Sequence, residues 1–217
     1  MDELAKAWLK ARYNKPGRVF AGIVHRLDAP VAGVVVLART SKAAARLSEQ
    51  FRQGTVEKVY LAVVQGRPPR EAARLVHHLV RHGHASRLVS SGTQGSQEAR
   101  LSYRLVAGGD ETSLLSIRLE TGRRHQIRLQ LAAIGCPILG DRLYGAKQAM
   151  ADGRIALIAQ HLCFSHPTLK TEMRFESPMP AGWPWPGNGG EEIRPLWTME
   201  AYLGDGLSLP EKRDAKS

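Results

Sequence analysis

A chain of 217 residues with 43% hydrophobic residues can bury one sizeable core, so a single domain with extensions is expected. Lys and Arg outnumber Asp and Glu by 31 to 20, a net charge of +11, and the excess lies before residue 181, which suits a polyanionic partner. No apolar or polybasic amphipathic helix points to a membrane, two cysteines without C-x-x-C spacing exclude a disulfide framework or zinc ribbon, and the acidic start Met1-Asp2-Glu3 opens no signal peptide, so a cytoplasmic protein is expected.

Asp2 caps a predicted short helix with Leu4, Ala5, Trp8 and Leu9 on one face, ended by Asn14 and Pro16-Gly17. Residues 19–27 read as a strand and residues 34–38 as a second, fully buried one. Thr40-Ser41 caps a helix that turns Ala44, Leu47 and Phe51 inward and stops at Gly54. Residues 56–64 alternate as a strand, with Lys58 and Tyr60 on one face and Val59, Leu61 and Val63 on the other. Residues 71–97, rich in His and Ser, read as a protruding arm or hairpin. Residues 101–106 and 113–119 form paired strands around Gly108-Gly109-Asp110. After Thr121-Gly122 a helix runs to Ile134, with Ile127, Leu131 and Ile134 apolar, Gly135 as cap, and Arg128 at the boundary between core and cleft. Residues 155–161 make a short apolar segment and residues 162–175 a closing hairpin. Helices and strands mixed without βαβ regularity predict an α+β fold with a largely antiparallel sheet flanked by helices. Residues 1–180 are expected to form the domain, and residues 181–217 a tail rich in Pro, Gly and Trp that docks at most a short segment over 196–203 and ends mobile.

Two stretches carry chemistry. The first is Gly22-Ile23-Val24-His25-Arg26-Leu27-Asp28, closed by Gly33; on an extended segment Arg26 and Asp28 share one face and Ile23, His25 and Leu27 the other. A carboxylate at the end of a buried strand must be paired, hydrogen-bonded or turned to a cleft, so Asp28 reads as a structural ion pair, a turn cap or a reactive group. The second is Leu119-Glu120-Thr121-Gly122-Arg123-Arg124-His125-Gln126-Ile127-Arg128, followed by Gly140-Asp141-Arg142-Leu143-Tyr144-Gly145.

Together these stretches resemble the RluA-type pseudouridine synthases, whose signature His-Arg-Leu-Asp carries the catalytic Asp. Lys58-Val59-Tyr60 is similar to that family's tyrosine motif and Gln126-Ile127-Arg128 to its arginine motif, in the family's order, from about residue 2 to Pro180. The resemblance implies a pseudouridine synthase fold and an isomerase acting on uridine in structured RNA, rRNA or tRNA, with neither cofactor nor metal; a monomer is expected. It implies Asp28 as catalytic carboxylate, Arg128 as its fixed cation, and Tyr60 as the residue that stacks on the target base and takes part in removing the C5 proton. Arg26 corresponds to a position that inserts where the flipped nucleotide has left. Arg74, Arg81 and Arg87 on the arm, and Arg123 and Arg124 at the helix start, are candidate phosphate contacts.

Departures from the family pattern are visible. Pro30-Val31-Ala32-Gly33 stands where relatives carry a hydroxyl, and Asn14-Lys15-Pro16-Gly17 lies so close to His25 that the family's first strand is expected to be missing, as is its S4 domain. A non-catalytic RNA-binding or ribosome-assembly factor on the same fold is the alternative. A metal-dependent hydrolase built on His77, His78, His82 and His84 fits poorly, because their spacing matches no zinc pattern.

Overall fold

The computed structural model describes residues 2–14 and 16–185. By compactness the chain divides into two units, Met1–Pro184 and Trp185–Ser217. The segment expected at 196–203, the chain end, and Lys15 of the Asn-Lys-Pro sequence lie outside the described residues.

The first unit is built on an eight-stranded mixed sheet. Its main path runs β10 (Glu172–Glu176), β9 (Leu157–Ser165), β4 (Glu57–Gln65), β8 (Thr112–Leu119), β7 (Gln97–Gly108), β5 (Ala72–His82), β6 (Ala85–Val89). All neighbours on that path are antiparallel, and β2 (Ala32–Gly33) joins β9 in parallel. Strands β4 and β9 sit at the centre because their apolar residues run continuously rather than alternating; all but the end residues of β4 and the last of β9 are buried. Helix α2 (Ser41–Gln53) covers one end of the sheet. Its Leu47, with Ala43, Ala44 and Phe51, packs against Ala38, Val56, Leu162 and Phe164. Thr40 caps it by accepting a hydrogen bond from Ala43 N at 3.1 Å, and Gly54, at φ 71°, closes it as the sequence predicts.

The N-terminal expectations needed correction. Residues 19–27 do not form one strand: only β1 (Gly22–Ile23) pairs, with β3 (Leu37–Ala38). The reason is local. Val36 N donates to His25 Nε2 at 3.0 Å, so a side chain takes the place of a ladder partner, and Val31 N donates to Asp28 O at 2.9 Å, turning the chain. The strict alternation of Ile23, His25 and Leu27 therefore fails: Ile23 is exposed, while the His25 ring stacks on Phe51 with centroids 4.5 Å apart. Residues 34–38 are not a fully buried strand either; of them only Ala38 is buried. Helix α1 (Asp2–Arg12) forms as predicted, yet its apolar face is not covered within this unit, with Leu4 78% and Trp8 60% exposed.

Further along, the hairpin β5–β6 is present, but β5 pairs along β7 and so belongs to the sheet rather than protruding from it. The apolar segment expected at 155–161 runs on into the longer strand β9, and the closing hairpin expected at 162–175 is present, formed by the second half of β9 and the edge strand β10 with Leu162 paired to Phe175. At the junction of β2 and β9 the backbones touch. A Cβ on Gly33, whose φ is +127°, would stand 2.3 Å from Ala159 O. Gly33→Ala should therefore destabilise the fold by more than about 2 kcal/mol, because strained backbone and steric overlap add. Urea unfolding followed by circular dichroism measures this; an unchanged midpoint would mean that β2 can leave β9 without cost.

Candidate active site

Helix α3 (Gln126–Ala133) is shorter than expected and begins at Gln126, not just after Gly122. Residues 121–125 are held in another conformation by the Gln126 side chain, itself 2% exposed. Its Oε1 accepts from Thr121 Oγ1 at 2.7 Å and from Arg123 N at 3.0 Å, while Nε2 donates to Arg100 O at 2.9 Å. His125 takes a left-handed conformation, φ 56°, to join this turn to the helix. The anchor sets the rotational phase of α3 and turns Arg128 toward the loop that carries Asp28.

Arg128 is 6% exposed and bridges two carboxylates. Its Nε and Nη2 donate to Asp141 Oδ2 and Oδ1 at 2.7 and 2.8 Å, a bidentate pair, and its Nη1 donates to Asp28 Oδ2 at 3.3 Å. Asp141 is 1% exposed; Asp28, with a 28% exposed side chain, faces the cleft. Burial opposes the guanidinium charge, but the two carboxylates outweigh it and push the Arg128 pKa above its ordinary value.

A second set of contacts supports the bridge. The Tyr144 ring lies 5.0 Å below the Arg128 guanidinium, and its hydroxyl lies 2.8 Å from His125 Nδ1. Ser86 N, on β6, donates to the same hydroxyl at 2.9 Å, so the hairpin is tied to the site. If the phenol donates to Nδ1, the proton of His125 resides on Nε2, which points toward Asp28 Oδ2 at 3.8 Å. Burial lowers the His125 pKa, with Asp28 pulling the other way.

Of these groups Asp28, His125 and Arg128 line a cleft of about 1190 Å³ formed by the 24–31 loop, Lys58 and Tyr60 of β4, and the turn before α3. Eight Lys and Arg side chains border it against two carboxylates, Asp28 and Glu120. Tyr60, 9% exposed, has its phenol pKa raised by burial and then by the Asp28 charge. Lys58, also 9% exposed, is lowered to about 8 by burial and by nearby Arg123. His25 is lowered to about 4 by burial and by Lys58.

The structure thus brings Asp28, Tyr60 and Arg128 into one cleft. Arg26 and Arg81 are exposed on its lining, and Arg123 and Arg124 also line it while donating to Glu98 O and His84 O at 3.0 and 2.8 Å. Arg87 is exposed on β6 outside the lining, and Arg74 is held by Glu120 at 2.8 and 2.7 Å. The arm histidines do not converge: His77 Nδ1 lies 3.0 Å from Gln130 Nε2, while His82 and His84 are exposed. Sequence reasoning gave no role to Asp141, Tyr144 or His125. The signal lay in the Gly-Asp-Arg-Leu-Tyr-Gly stretch, since an acidic residue next to a tight turn and an apolar strand calls for a buried partner.

Residues 2–133 match the RNA pseudouridylate synthase family. The chain belongs to that family. A Chloroflexus aurantiacus RNA pseudouridine synthase is 36% identical over 166 residues, 76% of this chain and 52% of that protein. The ribosomal large subunit pseudouridine synthase D of Zymomonas mobilis is 36% identical over 170 residues, 73% of this chain and 53% of that protein. This chain therefore spans about half the length of the curated relatives it matches. Human RNA pseudouridylate synthase domain containing 4 shares the fold, with a TM-score of 0.70 at 23% identity, over 82% of this chain and 78% of that one. The family and its α+β fold are those the sequence motifs imply, of the RluA type.

Two outcomes follow from the geometry. Asp141→Ala leaves the Arg128 guanidinium buried and half-compensated, so stability should fall by about 3–5 kcal/mol, measured by urea unfolding. His25 gains no proton in the fold until about pH 4 whereas the unfolded chain protonates near 6.5, so the unfolded state binds more protons between these values. Stability should then fall, by up to about 3 kcal/mol, as pH drops from 6.5 to 4. Unfolding of His25→Gln, which cannot charge, should lack that part of the slope; an identical slope would remove His25 as its source.

Proposed function

We propose that this protein isomerises uridine to pseudouridine in structured RNA, with Asp28 as the catalytic carboxylate. The observation that carries the reading is the Arg128 bridge, which fixes a carboxyl oxygen of Asp28 in a cation-lined cleft. The reaction breaks a glycosidic bond, turns the detached uracil and rejoins it through carbon, with no net change in atoms. A fixed carboxylate serves it as nucleophile toward the ribose or base, or as base at the sugar. The hydrogen bond from Arg128 Nη1 limits the rotation of the Asp28 carboxylate.

Tyr60 supplies an aromatic face for a base taken out of its stack. Because burial and Asp28 keep its phenol protonated, stacking suits Tyr60 better than proton abstraction in the free protein. Arg26, Arg81, Arg123 and Arg124 border the cleft where phosphates and the gap left by the flipped nucleotide would lie. Of the two RNA classes, rRNA is favoured, since one relative is a ribosomal large subunit enzyme. The reading also takes the chain to act in the cytoplasm and as a monomer; its free thiols, Cys136 and Cys163, are compatible with a reducing compartment.

Tritium release from RNA labelled at uridine C5 tests the reading. Wild-type protein should release tritium from RNA lacking the modification. Asp28→Asn should bind that RNA within about twofold of wild type yet lose at least about 10³-fold in rate, since an amide is neither nucleophile nor base here. Arg128→Ala should also impair turnover, and Tyr60→Phe should keep most of it. Binding by the wild type without any tritium release would favour the non-catalytic RNA-binding factor. Release by Asp28→Asn at the wild-type rate would remove Asp28 from its role.

A further inference from the structure

Strand β9 presents His161 and Cys163 two residues apart, hence on the same face of the sheet. In the β4–β9 register Glu57 stands directly opposite Cys163. The ring nitrogens of His161, the Cys163 thiol and the Glu57 carboxylate place ligand atoms within 4.8 Å of one another. Since side chains alternate along β4, this face is turned away from the one on which Lys58 and Tyr60 line the cleft. The cluster is therefore separate from the candidate active site.

We propose that Glu57, His161 and Cys163 bind a thiophilic divalent cation, of which Zn²⁺ is the best match. Two donors at i and i+2 on one strand and a third across the ladder converge on a point above the sheet, and the ladder hydrogen bonds hold their backbones in place. The donor set of one thiolate, one imidazole and one carboxylate is within zinc's preferences. Tetrahedral zinc, with bonds of about 2.0–2.3 Å, asks for donors roughly 3.4–3.7 Å apart, so side-chain rotation of about 1 Å completes the site.

The surroundings favour a cation. Glu176 on β10 pairs in register with His161, and its Oε1 lies 3.7 Å from His161 Nδ1, adding a carboxylate beside the cluster. Arg174, the β10 residue opposite Cys163, is a competing cation, but its guanidinium donates to Glu172 at 2.7 Å. His161 and Cys163 are 5% and 7% exposed, so two of the donors are shielded from bulk water, while Glu57 is partly exposed. A cation here would pin the central strand β4 to β9 and the edge strand β10. The inference is independent of the proposed catalysis, because it concerns the opposite face of the sheet.

Cobalt titration of the metal-free, tag-free full chain tests it. One equivalent of Co²⁺ should bind, with a thiolate-to-cobalt charge-transfer band and the visible spectrum of a tetrahedral site, and Zn²⁺ should displace it. Cys163→Ser should abolish the charge-transfer band, and His161→Ala and Glu57→Gln should each weaken zinc binding at least tenfold. Cys136→Ser should change neither. At equal zinc concentration the unfolding midpoint should rise more for the wild type than for Glu57→Gln, a partly exposed substitution that keeps the fold even if the two strand-centre variants do not. Absence of saturable binding in the wild type overturns the proposal. So does binding unaffected by Cys163→Ser and Glu57→Gln, or a charge-transfer band that disappears with Cys136→Ser.

Discussion

The buried guanidinium of Arg128 is the interaction on which the site depends. Removing one such charge from water costs several kcal/mol, and a single carboxylate in poor geometry would not compensate it. Asp141 does so with two near-parallel hydrogen bonds, leaving one guanidinium nitrogen to reach Asp28. The pair Arg128–Asp141 is thus the fixed part, and Asp28, more exposed and held by one longer contact, is the part left facing the cleft. Three distant segments meet in this one bridge, so the fold and the chemistry share a single constraint.

Around it, electrostatics and desolvation act in opposite directions. The cleft gathers cations, which raises the local concentration of a polyanion, yet burial discourages protons on several groups inside it. Lys58, lowered to about 8, and His25, lowered to about 4, both show desolvation as the largest cause, with a neighbouring cation second. A phosphate entering the cleft would reverse the Coulomb part of that balance.

Rigidity comes from the central strands. Tyr60 sits on a strand buried on both faces and paired on both edges, so its position in the cleft is fixed by two ladders. The hairpin β5–β6 reaches the site differently, through Ser86 and the Tyr144 hydroxyl, which in turn orients His125. The same strand that holds Tyr60 carries Glu57 on its other face, so the two faces of β4 have different chemistry at adjacent positions.

Residue type and local spacing were enough to specify α2, whose cap Thr40 and stop Gly54 act within a few residues, and the paired strands β7 and β8. They were also enough for Asp28, Tyr60 and Arg128, because each lies inside a short motif whose order along the chain is itself informative. Local pattern failed where a distant group replaced a backbone partner. The apolar run at 19–27 is not a strand because the His25 ring takes the Val36 amide, and α3 starts late because Gln126 occupies the donors of the preceding turn. Asp141, Tyr144 and Glu57 had no legible role for the same reason: each acts on a residue distant in sequence. What the sequence alone determined was therefore the family, the strand and helix chemistry, and the candidate carboxylate Asp28. Which cation is buried, which carboxylate holds it, and which donors share a sheet face were decided only by tertiary packing, since these depend on register and burial that no local periodicity encodes.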